Sequence, residues 1–96
     1  MHFIEKLRPG IKRGDITTTI RIWQKPRVKL GGDYAMDGGH VHVTGMREIA
    51  VDQITPKMAR DSGFDGVIDL LKTAKHGRGE KVYFIAFEYR KGPAPR

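Results

Sequence analysis

One run of residues limits the fold more than any other. From Lys81 to Tyr89, Val82, Phe84 and Ala86 fall on one side of an extended chain. Tyr83, Ile85, Phe87 and Tyr89 fall on the other. Side chains alternate across a strand, so this strand is apolar on both faces. Such a strand is central and buried, with a sheet or barrel interior on one side and helices on the other.

The earlier segments supply the rest. Phe3, Ile4 and Leu7 have helical spacing, and Pro9-Gly10 is expected to stop that helix. Ile11 to Asp15 reads as a basic turn hinged at Gly14. Thr17 to Trp23, rich in threonine and isoleucine, reads as a strand, and Pro26 puts its far end at an edge or bend. Gly31-Gly32 and Gly38-Gly39 bracket a short strand, Asp33 to Met36. His40 to Val51 alternates, with Val41 and Val43 opposite His40, His42 and Thr44, and Gly45 marks a bulge. Thr55-Pro56 starts a helix that Gly63 ends. Asp65 is expected to cap the next helix, with Val67, Ile68, Leu71 and Ala74 on its buried face. His76-Gly77-Arg78-Gly79 reads as a loop.

Helix, strands, two helices and a long final strand predict an α+β fold: a small barrel of about five to six mixed strands flanked by two to three helices. The 96 residues make one domain, residues 1–90, followed by a disordered tail, residues 91–96.

The net charge is +7, and its distribution is uneven. Residues 1–31 carry eight basic and two acidic side chains, residues 32–71 three and seven, and residues 72–96 seven and two. If the two basic ends meet, one face steers polyanions. With no cysteine in the chain, disulfides, thiolate catalysis and thiolate metal sites are excluded. No apolar run is long enough for a membrane helix, and no leader pattern opens the chain. The expectation is a cytoplasmic protein with no membrane partner and no cofactor.

Candidate ligand contacts cluster around the strand Thr17–Trp23. Arg21 offers a planar fork for phosphate or a base edge. Trp23 offers a stacking surface. Lys12, Arg13, Lys25, Arg27 and Lys29 form a basic collar. His76 lies beside Lys72, Lys75 and Arg78, where it can hold phosphate or move a proton. His40 and His42 share a strand face, but no carboxylate converges on them in the sequence, so no metal is expected.

Several of these residues also carry a family pattern. Gly14 to Arg21 followed by Trp23 forms its first part. Ile54-Thr55-Pro56, Ala59-Arg60-Asp61-Ser62-Gly63-Phe64, Leu70-Leu71-Lys72, His76-Gly77 and Val82 to Phe87 follow. Together they resemble the ASCH domain of the PUA-like superfamily, small β-barrels associated with RNA. The resemblance spans about residues 3–89. It implies a basic cleft lined by a Gly-x-Lys-x-x-x-x-Arg motif. Gly14 and Arg21 match that spacing, and Ile16 stands at the lysine position.

Some members look like amidohydrolases acting on N-acetylated cytidine. Their base is that lysine, their nucleophile a threonine and their acid a glutamate. Thr19 falls on the threonine position. Asp61 and Ser62 flank the glutamate position, and Lys12 is the nearest lysine able to replace Ile16. The leading expectation is therefore an RNA- or nucleotide-binding module. A small hydrolase on RNA or modified nucleosides, using Thr19, Lys12 and Asp61, is the alternative. A protein-interaction module is a third reading.

Overall fold

The computed structural model describes residues 1–74 and 81–95. Four strands form one antiparallel sheet: β1 (Thr18–Trp23), β2 (Asp33–Met36), β3 (Gly39–Ile49) and β4 (Lys81–Lys91). Their order is β1-β4-β3-β2. Three short helices accompany them: α1 (Arg8–Arg13), α2 (Pro56–Asp61) and α3 (Val67–Ala74). The α+β class holds, but the strand count does not. Among the described residues there are four strands, all antiparallel, where five to six mixed strands were expected. The sheet curls into half a barrel, with β1 and β2 as its two edges. Among the described residues, the chain between strands forms helices and loops, and no further strand closes the sheet.

β4 lies between β1 and β3 and is buried on both faces over its first half, as its sequence requires. The antiparallel register pairs Ile20 with Phe84 and Ile22 with Val82 on one face, and Thr19 with Ile85 and Arg21 with Tyr83 on the other. Paired residues share a face, so both faces of β4 are continued by β1. The β3–β4 ladder changes register between Val43 and Gly45, the bulge that Gly45 signals.

Pro9 starts α1 and does not stop it. A one-turn 3-10 segment, Glu5–Leu7, leads in, and Pro9 sits in the first turn, where its missing N–H costs nothing. The helix then runs through Ile11, which is fully buried, and ends at Gly14 in the left-handed conformation with φ 82°. Thr55 caps α2 as expected, its Oγ1 accepting the Met58 N–H at 3.1 Å. At α3, the Asp65 N–H donates to the Asp69 carboxylate at 3.0 Å, so Asp69 closes the first turn. The buried face of α3 is Leu70 and Ala74, flanked by Val67 and Leu71, while Ile68 is 72% exposed. Spacings of three and four residues define one helical face, and Ile68 falls a full step off it.

The core is continuous from α1 across β1 and β4 to α2 and α3. Phe3, Leu7, Ile11, Ile20, Ile22, Phe64, Leu70 and Val82 belong to it. A smaller cluster gathers Trp23, Val28, Val43, Tyr83 and Ile85.

Candidate functional site

A cavity of about 670 Å³ lies where β1 meets the first residues of the chain and the end of α3. Thr19, Ile20 and Arg21 all line it. Consecutive strand residues point to opposite faces, so a cavity touching all three opens along the strand's free edge. The backbone agrees. Phe87 N–H donates to Thr17 O at 2.9 Å, which makes the backbone groups of Thr19 and Arg21 face β4. By the same alternation, the N–H and C=O of Ile20 face away from β4, toward the edge.

Arg21 is the central polar group. Its Nε donates to Thr19 Oγ1 at 3.1 Å, and one Nη donates to His2 O at 2.6 Å. Its guanidinium carbon lies 4.9 Å from the centre of the Phe3 ring. Phe3 in turn packs against Phe87, ring centroids 5.3 Å apart. The fork is thus held on three sides by its own strand, a backbone carbonyl and an aromatic face. No carboxylate pairs with Arg21 among the described residues. Burial lowers its guanidinium to about 10, which still leaves it charged at neutral pH.

Arg27, itself exposed, also borders the cavity, as do Phe64 and Trp23. Among the described residues, no Asp or Glu lines it. As far as the described residues form it, the cavity therefore combines apolar walls with two arginines and no carboxylate.

The other residues singled out in the sequence scatter. Trp23 is buried, 5% exposed, and packs on Tyr83 with ring centroids 5.9 Å apart, so it is a core side chain at the border of the cavity. Lys12 Nζ pairs with Asp37 at 3.2 Å, and Arg8 joins the same carboxylate at 3.2 Å. Arg13 pairs with Asp15 at 2.9 Å. Lys25 and Lys29 are exposed and do not line the cavity. His76 lies outside the described residues. Of the basic collar, only Arg27 reaches the cavity beside Arg21.

The hydrolytic trio is not assembled. Thr19 is 6% exposed and accepts from Arg21. Lys12 is held at Asp37, and Asp61 pairs with Lys57 on the outside of α2 at 2.6 Å. Ile16, at the expected lysine position, packs its tip against Gly10 and Gly63, where it serves as apolar filling between helices. Among the described residues the hydrogen-bond partner of Thr19 Oγ1 is the Arg21 guanidinium, a donor and not a base, so the hydroxyl serves there as a hydrogen-bonding group.

Sequence reasoning missed Asp33. It pairs with His42 across β2 and β3, and its Oδ1 lies 2.9 Å from His42 Nδ1 and 3.5 Å from His40 Nε2. His40 Nδ1 donates to Gly92 O at 3.0 Å, and its buried Nε2 has no hydrogen bond. The signal that finds Asp33 is the tight β2–β3 hairpin, which places residue 33 opposite residue 42. Even so, among the described residues no three such side chains surround a common metal position.

Compared with known protein families, with curated proteins and with solved structures, the chain finds no match.

Proposed function

We propose that this protein is a nucleotide- or RNA-binding module of ASCH-like, PUA-like type, and that the cavity at the β1 edge is where it binds. The observation that carries this reading is Arg21: a partly buried cation with no carboxylate partner among the described residues, facing a cavity that Arg27 also borders. A buried charge without a counter-charge is costly, and an anionic ligand offsets that cost. Phe3 and Phe64 give the ligand apolar surface, and Arg21 and Arg27 neutralise its phosphate. The Gly14–Arg21 spacing noted in the sequence supports the same choice.

The test is anisotropy of a labelled single-stranded RNA and of a labelled mononucleotide, at about 50 and about 200 mM salt. Binding that weakens with salt and is lost in Arg21→Met supports the reading. Binding that Arg21→Met leaves intact moves the site elsewhere on the chain and overturns it. The hydrolase alternative has less to stand on, because Thr19, Lys12 and Asp61 lie in three separate hydrogen-bonded settings.

A further inference from the structure

We infer that the occupant of the cavity is a single small organic anion, an apolar or aromatic body bearing one oxyanion head, and not a continuous strand. The head sits on the Arg21 guanidinium and the Thr19 hydroxyl, and the body lies between Phe3 and Phe64. This deepens the nucleotide-binding reading and rests on it for the location of the site.

Three observations lead here. First, the cations are not laid out as a track. A bound strand needs several phosphate contacts in a row. Lys12 and Arg13 are already paired with Asp37 and Asp15, and Lys25 and Lys29 do not border the cavity. Among the described residues, two positive side chains line the cavity, at different depths: Arg21 inside and Arg27 exposed.

Second, the inner end is built to donate. Thr19 Oγ1 accepts from Arg21 Nε, so its own proton is available to a ligand. The Arg21 fork spends one N–H on Thr19 and one on His2 O, which leaves further N–H groups for an oxyanion. A ligand head that is itself a cation meets the Arg21 charge, with the second lone pair of Thr19 Oγ1 as the one acceptor these two side chains can offer it.

Third, the donor is held in place before the ligand arrives. Thr19, His2 O and the Phe3 ring fix the guanidinium, so little side-chain freedom is lost on binding. That suits a small ligand, which has few contacts to offset such a loss.

The experiment is calorimetric titration of the full chain with phenyl phosphate, benzoate, benzylamine and inorganic phosphate. Uridine monophosphate and a single-stranded oligoribonucleotide are titrated in parallel. The expected result is binding of phenyl phosphate or benzoate, and which of the two binds names the head group. Benzylamine, of like size and opposite charge, and inorganic phosphate, a head without a body, bind at least about tenfold more weakly. Arg21→Met lowers the affinity of the aromatic anion by at least about tenfold, and Thr19→Val lowers it by a smaller factor. The thermal melt of each variant reports whether it is folded. Arg27→Ala, at an exposed position, tests the mouth of the cavity without disturbing the core.

Benzylamine binding as well as benzoate overturns the inference. So does failure of both aromatic anions to bind at millimolar concentration, or an oligoribonucleotide bound far more tightly than the monophosphate. Failure of the nucleotide reading looks different: the aromatic anions bind through Arg21, while uridine monophosphate and the oligoribonucleotide do not.

Discussion

The hydroxyls of Thr18 and Ser62, forty-four residues apart, share a hydrogen bond of 2.9 Å. Ser62 is 1% exposed and sits at the C-terminal end of α2, so this bond ties the helix to the edge strand that borders the cavity. Removing either hydroxyl leaves the other in a largely buried place without its partner. Thr18→Val and Ser62→Ala should each lower stability by about 1–2 kcal/mol, and the double change by less than their sum. Urea unfolding of the four proteins measures this directly. A fully additive double mutant would show that the bond contributes nothing.

Gly39 faces the hairpin crossing at the start of β3. A Cβ there would meet the Tyr89 hydroxyl and stand 2.5 Å from the Arg90 carbonyl oxygen. Tyr89 is itself fixed by hydrogen bonds to the carbonyls of Met36 and Asp37, so it has little room to withdraw. Gly39→Ala should cost about 1–3 kcal/mol by overpacking. A thermal melt should show a drop of about 4–8 °C for each kcal/mol lost.

The tryptophan reports on its own setting. Trp23 is buried against Tyr83 and Val28, so its emission should be blue-shifted and acrylamide should quench it poorly. Trp23→Ala should cost about 3–5 kcal/mol, the range for deleting a large core side chain. Red-shifted, freely quenched emission would contradict the burial.

Anion binding at Arg21 has a defined pH dependence. Burial lowers the guanidinium to about 10, so the cation is disfavoured in the fold relative to the unfolded chain. It remains protonated below that value and loses its proton as pH rises through it. Affinity for an aromatic anion should therefore fall as pH passes about 10, after a smaller loss at lower pH as the Met1 ammonium, whose pKa burial and Arg21 push down, gives up its charge at the same cavity. The stability contribution of this group has the same sign logic: its unfavourable share diminishes as pH climbs from about 10 toward the ordinary arginine range. Affinity titrated at a series of pH values checks the first statement.

Thr55 offers the simplest test of a local rule. Its hydroxyl accepts the Met58 N–H at 3.1 Å, with Pro56 in the first turn of α2. Thr55→Ala should cost about 1 kcal/mol, and Thr55→Ser should cost less, because serine keeps the cap. Equal losses in the two variants would assign the effect to the methyl group instead.

Local chemistry in this chain was readable, and long-range chemistry was not. The strands Thr18–Trp23, Asp33–Met36 and Lys81–Lys91, and the Thr55 cap, follow from alternation and from turn and cap residues that act within a few positions. Pro9 was misread because the same residue that breaks a helix interior opens a first turn, and only the observed start at Arg8 decides between them. Ile68 was misplaced because five apolar residues in α3 allow more than one face, and packing on β1 selects Leu70 and Ala74. At the site, Arg21 and Thr19 were found by their shared strand. The fates of Lys12 and Trp23 were hidden, since Asp37 lies 25 residues beyond one and Tyr83 sixty beyond the other. His40 and His42 were seen as a pair, but Asp33 joins them only through hairpin register.

The bulge at Thr44 divides β3 into two reading frames. Before it, Val41 and Val43 share a face with Tyr89 and Phe87. After it, Met46 joins Ile85 on that same face, while Gly45 pairs with Ala86 on the other. Odd positions lead in the first half and even positions in the second, like a code of period two with one letter inserted. Deleting Thr44 would take the inserted letter out and leave one continuous ladder, Val43 with Phe87, Gly45 with Ala86 and Met46 with Ile85, every side chain on its present face. Flattening the bulge with Thr44 kept would act as a frameshift written in space: every residue from Gly45 to Ile49 would change sides while its own chemistry stayed the same, and Met46 would leave the interior that the inserted letter grants it.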